Sequence, residues 1–266
     1  MEGESTPQPG GFIPPTGLLS PTPSTASSRA GAALPHPRKS ALNPGSSKED
    51  MVRRYVEDKL LNISRRYVKK FGDPDPADTV VGFTNFTEVA KELDGVVNVL
   101  WLSGTPSLQI PFLLKLASDF TQYVRSFPAA PKATFQLLGK LDHCFASLLC
   151  GQDINSQETL PGFENGLRGG MTTTDMVRCR SLVEQTRVLM VEILGNDRGE
   201  EEEEEEDDDD DEDGLGLGST SDGPGGMDAA TWDIDEDRLH LDAARIYENT
   251  IVQLGNRLGD GGLASA

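Results

Sequence analysis

The sequence predicts an all-α protein: a helical bundle of about five helices over residues 47–195, with a tethered sixth helix at the C-terminal end. Three observations carry that expectation. Apolar residues recur at steps of three and four in six segments between residues 48 and 258, the spacing that lines one face of a helix. No alternating pattern of the kind a half-buried strand shows competes over a comparable length. The periodic segments are framed by stretches with no such pattern, residues 1–46 and 196–226.

Residues 1–46 contain 9 Pro, 11 Ser or Thr and 6 Gly. So few large apolar side chains cannot offset an ordering cost of about 1–2 kcal/mol per residue, and this arm is expected to be disordered. It holds Thr6, Ser20 and Thr22, each followed by Pro, and Ser40 behind Arg38-Lys39. These four are candidate phosphosites in an accessible segment, although Ser-Pro and Thr-Pro pairs also arise from such a composition alone.

The first helix is expected at 48–71. Ser47 caps it with Asp50 three residues on, and Val52, Tyr55, Val56, Leu60, Ile63, Tyr67 and Phe71 share its stripe. Lys69 and Lys70 suit the negative end of the dipole, and Gly72 is placed to stop it in the left-handed region. Asp73-Pro74-Asp75-Pro76 then forces an extended turn. Asn85 with Glu88 opens a second helix carrying Phe86, Val89, Leu93, Val96, Val97 and Leu100, closed by Gly104. Thr105-Pro106 starts a third, in which Pro111 predicts a kink or a restart before Leu113, Leu116, Ala117, Phe120, Tyr123, Val124 and Phe127. A fourth follows Pro131, with Leu138, Leu141, Phe145, Leu148 and Leu149 on its stripe and a stop at Gly151.

Five glycines over 151–171 read as a flexible loop, long for a compact domain. Thr172 with Asp175 caps a fifth helix that carries Met176, Cys179, Val183, Met190 and Ile193 and ends at Gly195. Residues 196–226 are expected to be a disordered acidic and Gly-rich linker, because consecutive like charges repel and extend. The last helix lies within residues 227–259, capped by Asp233 with Glu236, and residues 260–266 form a tail. Its stripe of Ala243, Ala244, Tyr247, Ile251, Leu254 and Leu258 needs a partner surface, and the body at 47–195 is the expected one.

Charge narrows the function. The 266 residues carry 24 Lys and Arg against 44 Asp and Glu, a net charge of −20. Residues 1–199 are balanced at 21 of each sign, so the imbalance sits in the last 67 residues, chiefly in the unbroken run Glu200 to Asp213. With no net basic domain, a surface that tracks a phosphate backbone is not expected, and direct nucleic-acid binding is unlikely. Three cysteines exclude a disulfide-built fold. No apolar run approaches the roughly 18 residues of a membrane span, and no secretory signal opens the chain, so a membrane partner is not expected and the cytoplasm or nucleus is.

The motif search points away from catalysis. There is no G-x-x-x-x-G-K-[ST] loop to cradle nucleotide phosphates. Gly214-Leu215-Gly216-Leu217-Gly218 looks superficially like a dinucleotide fingerprint, but it follows fourteen carboxylates and reads as a linker. Neither C-x-x-C nor H-x-x-x-H occurs, and His143 and Cys144, being adjacent, point about 100° apart on a helix, so no metal site is expected. No G-x-S-x-G elbow is present. Catalytic, cofactor and metal residues are therefore all expected to be absent.

One element has a charge surplus. Residues 48–70 carry eight basic and four acidic side chains, a net +4, with Arg53, Arg54, Arg65, Arg66, Lys69 and Lys70 as candidate partner contacts. A solvated helix face is the plain explanation; a contact for an acidic partner is the functional one.

The segments Met51-Val52-Arg53-Arg54-Tyr55-Val56, Leu113-Leu114-Lys115-Leu116-Ala117-Ser118-Asp119 and Phe127-Pro128-Ala129-Ala130-Pro131-Lys132-Ala133-Thr134-Phe135 resemble a little-studied family of helical proteins from filamentous fungi, over roughly residues 50–195. Such proteins are sometimes loosely labelled meiotic recombinases. That label is rejected here, because a recombinase of that kind needs the missing phosphate loop. The resemblance implies a helical fold and carries over no functional residues. The leading expectation is a non-enzymatic helical interaction or adaptor protein. The alternatives are an acidic-tail chaperone of basic proteins such as histones, using Glu200 to Asp213, and an enzyme with an unrecognised site.

Overall fold

The computed structural model describes the backbone of residues 34–70, 72, 80–206 and 241–259, and the side chains of these outside 194–206. The chain divides into two units at Gly31 and Ala32, and every described residue belongs to the second. Six α-helices lie wholly among the described residues: α1 (Ser47–Lys69), α2 (Phe86–Ser103), α3 (Pro106–Val124), α4 (Pro131–Cys150), α5 (Thr173–Glu206) and α6 (Glu248–Leu258), and residues 241–244 are helical as well. A short 3-10 turn, Leu167–Gly169, sits in the loop before α5. No strand occurs among these residues, and one isolated bridge joins Gln152 to Thr159. The fold is all-α.

Several helix ends follow from local chemistry as the sequence implies. The Asn85 side chain accepts from the Glu88 N–H at 3.0 Å, and Gly104 takes the left-handed stop of α2 at φ 53°. Thr172 and Asp175 satisfy each other's amides at the start of α5, at 3.0 and 3.2 Å, in a reciprocal capping box. Gly151 ends α4 at φ 74°, and a Cβ there would lie 2.8 Å from Leu167 Cδ2 and 2.9 Å from Phe163 Cδ1. Only glycine fits that approach.

Other boundaries differ. The cap of α1 is Ser46, one residue before the expected Ser47, with its hydroxyl accepting from the Glu49 N–H at 3.3 Å. Helix α1 stops at Lys69, with the Lys70 N–H turned back to Tyr67, and Gly72 does not adopt a left-handed φ. Tyr55, expected on the inward stripe, stands at its edge and is 45% exposed. Pro111 neither ends nor restarts α3, which runs through it. Residues 34–46, placed in the N-terminal arm by composition, lie against the body. Leu42 is buried, its N–H donates to Thr105 Oγ1 at 3.0 Å, and the Arg38 N–H donates to the Leu102 carbonyl at 3.3 Å. Composition misses this because one apolar residue and two long-range hydrogen bonds are enough to seat a short segment.

The loop 151–171 is packed, not loose. Leu160, Phe163 and Met171 are buried in the core, and Gly151, Gly162 and Gly166 supply the positive φ values its turns need. Helix α5 continues past Gly195 to Glu206, so residues 196–206 of the expected linker are helical in backbone. A lone glycine costs a helix only about 1 kcal/mol, and glutamate is a good helix former. The expected caps Asp233 and Glu236, and the rest of the linker at 207–226, lie outside the described residues. At the C-terminal end one continuous helix was expected, but the chain turns at 245–247, where Tyr247 has φ 57°, and α6 starts afresh at Glu248. The buried residues there are Ile246, Tyr247, Thr250 and Leu254, while Ile251 is 39% exposed.

In the assembled body α2 packs against α1, α3 and α4, α3 also meets α5, and α6 lies on α4 and α5. Helix α4 is the centre. Every residue from Leu141 to Leu149 is buried, so this helix is covered all round and not only along the expected stripe. Rings knit the layers: Phe86 meets Phe120 edge-on at 5.8 Å, and Phe145 on α4 meets Tyr247 at 6.2 Å.

Candidate functional site

A fully enclosed helix must satisfy its polar side chains within the protein. Those of α4 do so by tying it to three neighbours. Lys140, 9% exposed, donates to Asp94 at 2.6 Å and to Asn98 at 3.0 Å, both on α2. Asp142, 4% exposed, faces the first turn of α6. Its Oδ1 accepts from the Thr250 N–H at 2.8 Å and the Thr250 hydroxyl at 2.7 Å, and its Oδ2 from Asn249 Nδ2 at 2.8 Å. A carboxylate at a helix N-terminus also meets the positive end of the dipole. Arg187 on α5 adds a second hold, donating to the Ile246 carbonyl at 3.0 Å.

His143 ties α4 to the loop. Its Nδ1 meets Asn155 Nδ2 at 3.3 Å and its Nε2 meets Asp153 Oδ2 at 3.0 Å. The ring stands edge-on to Trp101 at 5.3 Å. Burial pushes the Asp153 carboxyl up, but the amides of Ser156 and Asn155 and the His143 ring outweigh it and hold the group below its ordinary range. One turn on, Ser147 is fully buried and its hydroxyl accepts from the Ile154 N–H at 3.2 Å. Ser147, His143 and Asp153 thus include the residue types of a hydrolase triad in a different arrangement. Both ring nitrogens are already engaged, so the imidazole has no site left to take a proton from Ser147. This cluster is a clamp.

The cysteines are equally enclosed. Burial pushes the Cys144 thiol far up and the Cys179 thiol up to about 12, so neither supplies a thiolate. Among the described residues no three His, Cys, Asp or Glu side chains gather where a metal ion would be held. The hydroxyl of Tyr247, buried beside these thiols, has no hydrogen-bond partner among the described residues.

The surface is where partners would be met. Among the six basic candidates in and directly after α1, Arg53, Arg66 and Lys70 have partners within the fold. Arg53 pairs with Glu49 at 3.2 Å. Arg66 reaches Glu88 at 3.3 Å, Glu92 at 3.6 Å and the Val81 carbonyl at 3.0 Å, and its guanidinium lies 3.9 Å over the Phe83 ring. Lys70 stands 3.7 Å over Phe127, and partial desolvation lowers its pKa. Lys69 is half-buried. Arg54 and Arg65 are exposed and make no ion pair among the described residues. The structure therefore does not bring the six together as one basic patch. Ser40 is exposed beside a cleft of about 250 Å³ lined by His36, Arg38, Lys39 and the loop at Asp153–Pro161, while Thr6, Ser20 and Thr22 lie outside the described residues.

A larger cleft, of about 630 Å³, opens between α3 and α5. Thr121, Gln122 and Arg125 form one wall, and Glu184, Gln185, Val188 and Leu189 the other. Val177, Val188 and Val191, 55%, 70% and 69% exposed, share the outward stripe of α5 beside it. In the sequence this stripe is masked by the longer run of apolar residues that forms the inward face.

The chain matches the family described as subunit 11 of the general transcription factor TFIIH over residues 82–255, from just before α2 into α6. It belongs to the TFB6 family. An uncharacterised protein of the fungus Schizosaccharomyces pombe is 29% identical over 153 residues, which is 56% of this chain and 82% of that protein. No solved structure matches. The fungal, helical resemblance read from the sequence is consistent with these relatives, whereas nothing in them supports the recombinase label. The TFB6 match leaves α1 outside it, so the basic helix is not part of what the family comparison covers.

Proposed function

We propose that this TFB6 chain is a non-enzymatic, protein-binding component that associates with TFIIH, and that it works in the nucleus. The family match over residues 82–255 carries this reading. Its physical support is that the ionisable side chains of the core are spent on joining elements: Asp142 on α6, Lys140 on α2, His143 and Asp153 on the loop. In this reading the body at 47–195, with residues 34–46 laid against it, and the C-terminal helix within 227–259 form the folded part. Residues 1–46 carry the regulatory candidates Thr6, Ser20, Thr22 and Ser40, and Arg54 and Arg65 offer exposed charge to an acidic partner.

The test is capture of tagged full-length chain from a native extract, beside a chain lacking Glu200 to Asp213. Recovery of TFIIH subunits by both chains at 0.5 M salt supports the adaptor reading. The acidic run favours a second reading, a binder of basic proteins such as histones. That reading requires a partner that leaves by 0.5 M salt and is lost with the run, because exposed charges are screened within a few ångströms there.

A further inference from the structure

We infer that Ser40 is a phosphorylation site for a protein kinase that selects basic substrates, and that the phosphate releases residues 34–46 from the body. These residues form a strap held at two points, one on either side of the serine. The Arg38 N–H donates to the Leu102 carbonyl at 3.3 Å, and the Leu42 N–H to Thr105 Oγ1 at 3.0 Å. Between these anchors the chain bends at Lys39 and Ser40, and Arg38, Lys39 and Ser40 are all exposed. Beyond them the strap is pinned to α1, where Glu49 accepts from the Gly45 N–H at 2.7 Å and Gly45 takes φ 72°. The strap can therefore swing about residues 43–46 without unwinding a helix.

Its underside lies on the junction of the α2–α3 turn with the loop 151–171. A Cβ on Gly104 would stand 3.7 Å from the Arg38 carbonyl oxygen and 3.0 Å from Pro161 Cγ. One on Gly162 would stand 3.6 Å from Ala41 Cβ and 2.9 Å from Pro106 Cδ. Leu42 is the one fully sunk side chain of the strap. A seat made of one apolar side chain and two amide hydrogen bonds opens locally, far below the cost of unfolding the bundle.

Charge sets the direction of the switch. Arg38 and Lys39 share a cleft of about 250 Å³ with Asp153 and Glu158 of the loop. Opposite charges at such range still attract, because salt screens them only beyond about 8 Å at 0.15 M. A phosphoserine carries a charge of about −1.5 to −2 at pH 7. On Ser40 it cancels the two cations beside it and sets the strap against both carboxylates. The same two cations, one and two residues ahead of the serine, are what an acidic kinase cleft pairs with. The step transfers the γ-phosphoryl group of MgATP: the bond from Ser40 Oγ to phosphorus forms, the bond to the ADP oxygen breaks, and the hydroxyl proton passes to the kinase's base. The kinase must draw the residues around Ser40 into its own cleft, which the two anchors oppose, so release and modification favour each other.

The strap precedes the stretch matched by the family, while the junction beneath it lies inside that stretch. Such a switch stands independently of which complex the body binds, and its test uses no TFIIH. Full-length chain is incubated with MgATP and a kinase that reads arginine two residues before serine, and phosphate on Ser40 is followed by site-resolved mass spectrometry. Wild-type chain should be modified at Ser40, and Leu42→Ala, which empties the strap's own seat, at least tenfold faster. Hydrogen exchange reads the strap itself. After phosphorylation the segment holding the Arg38 and Leu42 amides should exchange at least tenfold faster, while the amides of α4 keep their protection. Glu158→Gln removes one facing carboxylate and should reduce that acceleration at least twofold.

No phosphate on Ser40 of the Leu42→Ala chain, or equal rates for the two chains, would overturn the switch. So would exchange that is unchanged or slower after modification, because the phosphate would then leave the strap in place or fasten it. An acceleration that Glu158→Gln leaves unaltered would overturn the electrostatic release. A chain that frees its strap on phosphorylation and never captures TFIIH keeps the switch and loses the proposed function; the reverse pair of results does the opposite.

Discussion

Replacing Asp142 by asparagine removes a buried negative charge and turns one of the two oxygens that hold α6 into an amide nitrogen. Three short hydrogen bonds converge on that carboxylate, from the Thr250 amide and hydroxyl and from Asn249 Nδ2. Asparagine keeps one acceptor, so the side chain can serve Thr250 or Asn249 but sets an N–H against the other donor. Losing a hydrogen bond to a charged group costs about 1.5–3 kcal/mol. Removing the charge from the helix N-terminus adds about 0.3–1 kcal/mol. The expected loss is about 3 kcal/mol, or roughly 6–12 °C in melting midpoint for a chain of this size. Circular dichroism at 222 nm reads the midpoint, and binding of an apolar dye reads exposure of the face that α6 covers, where Phe145 and Tyr247 meet. Asp119→Asn is the control, since that carboxylate is paired only with Lys115 at the surface. A midpoint for Asp142→Asn within about 1 °C of the control would refute the reasoning that this residue fastens the C-terminal helix.

Further outcomes follow from the same geometry. Phe145→Ala empties a site that is 1% exposed and should cost about 3–5 kcal/mol, read from the urea midpoint. Tyr247→Phe removes a buried hydroxyl with no partner among the described residues, so stability should stay level or rise by about 1 kcal/mol, and a fall in the same assay would refute that. The Asp153 carboxyl is held below its ordinary value, so its contribution is complete above the unfolded value and drains away as pH falls through the lower folded one. Asp153→Asn should therefore be less stable than wild type at pH 6 and converge with it near pH 2. Alkylation at pH 8 followed by mass spectrometry should label Cys150, the half-buried thiol, well before Cys144 and Cys179.

What the sequence made legible was the chemistry that acts over one turn. Asn85 with Glu88 and Thr172 with Asp175 are caps whose partners lie three residues apart, and the apolar steps of α2 and α3 declare their inward faces. What it hid acts at long range. Nothing near Asp142 in the chain announces Thr250, 108 positions away, and nothing near Leu42 announces Thr105. The loop 151–171 looked mobile because glycine composition signals freedom, whereas here positive φ at Gly151, Gly162 and Gly166 lets Leu160 and Phe163 reach the core. The six basic residues of α1 formed one group on paper. On the helix Arg66 faces α2 and Lys70 faces Phe127, which leaves Arg54 and Arg65 to solvent. The outward valines of α5 escaped because a stripe is noticed where it is long, and this one has three members.

The central proposal is that this chain, a member of the TFB6 family, acts by binding to TFIIH. Its most direct test uses purified parts: full-length chain mixed with purified TFIIH at micromolar concentration and 0.15 M salt, followed by size-exclusion chromatography with subunit-resolved detection. The account predicts a shifted, stoichiometric complex that survives when the salt is raised to 0.5 M. Two separate peaks at both salt concentrations, from a chain shown to be folded by its melting curve, would contradict it.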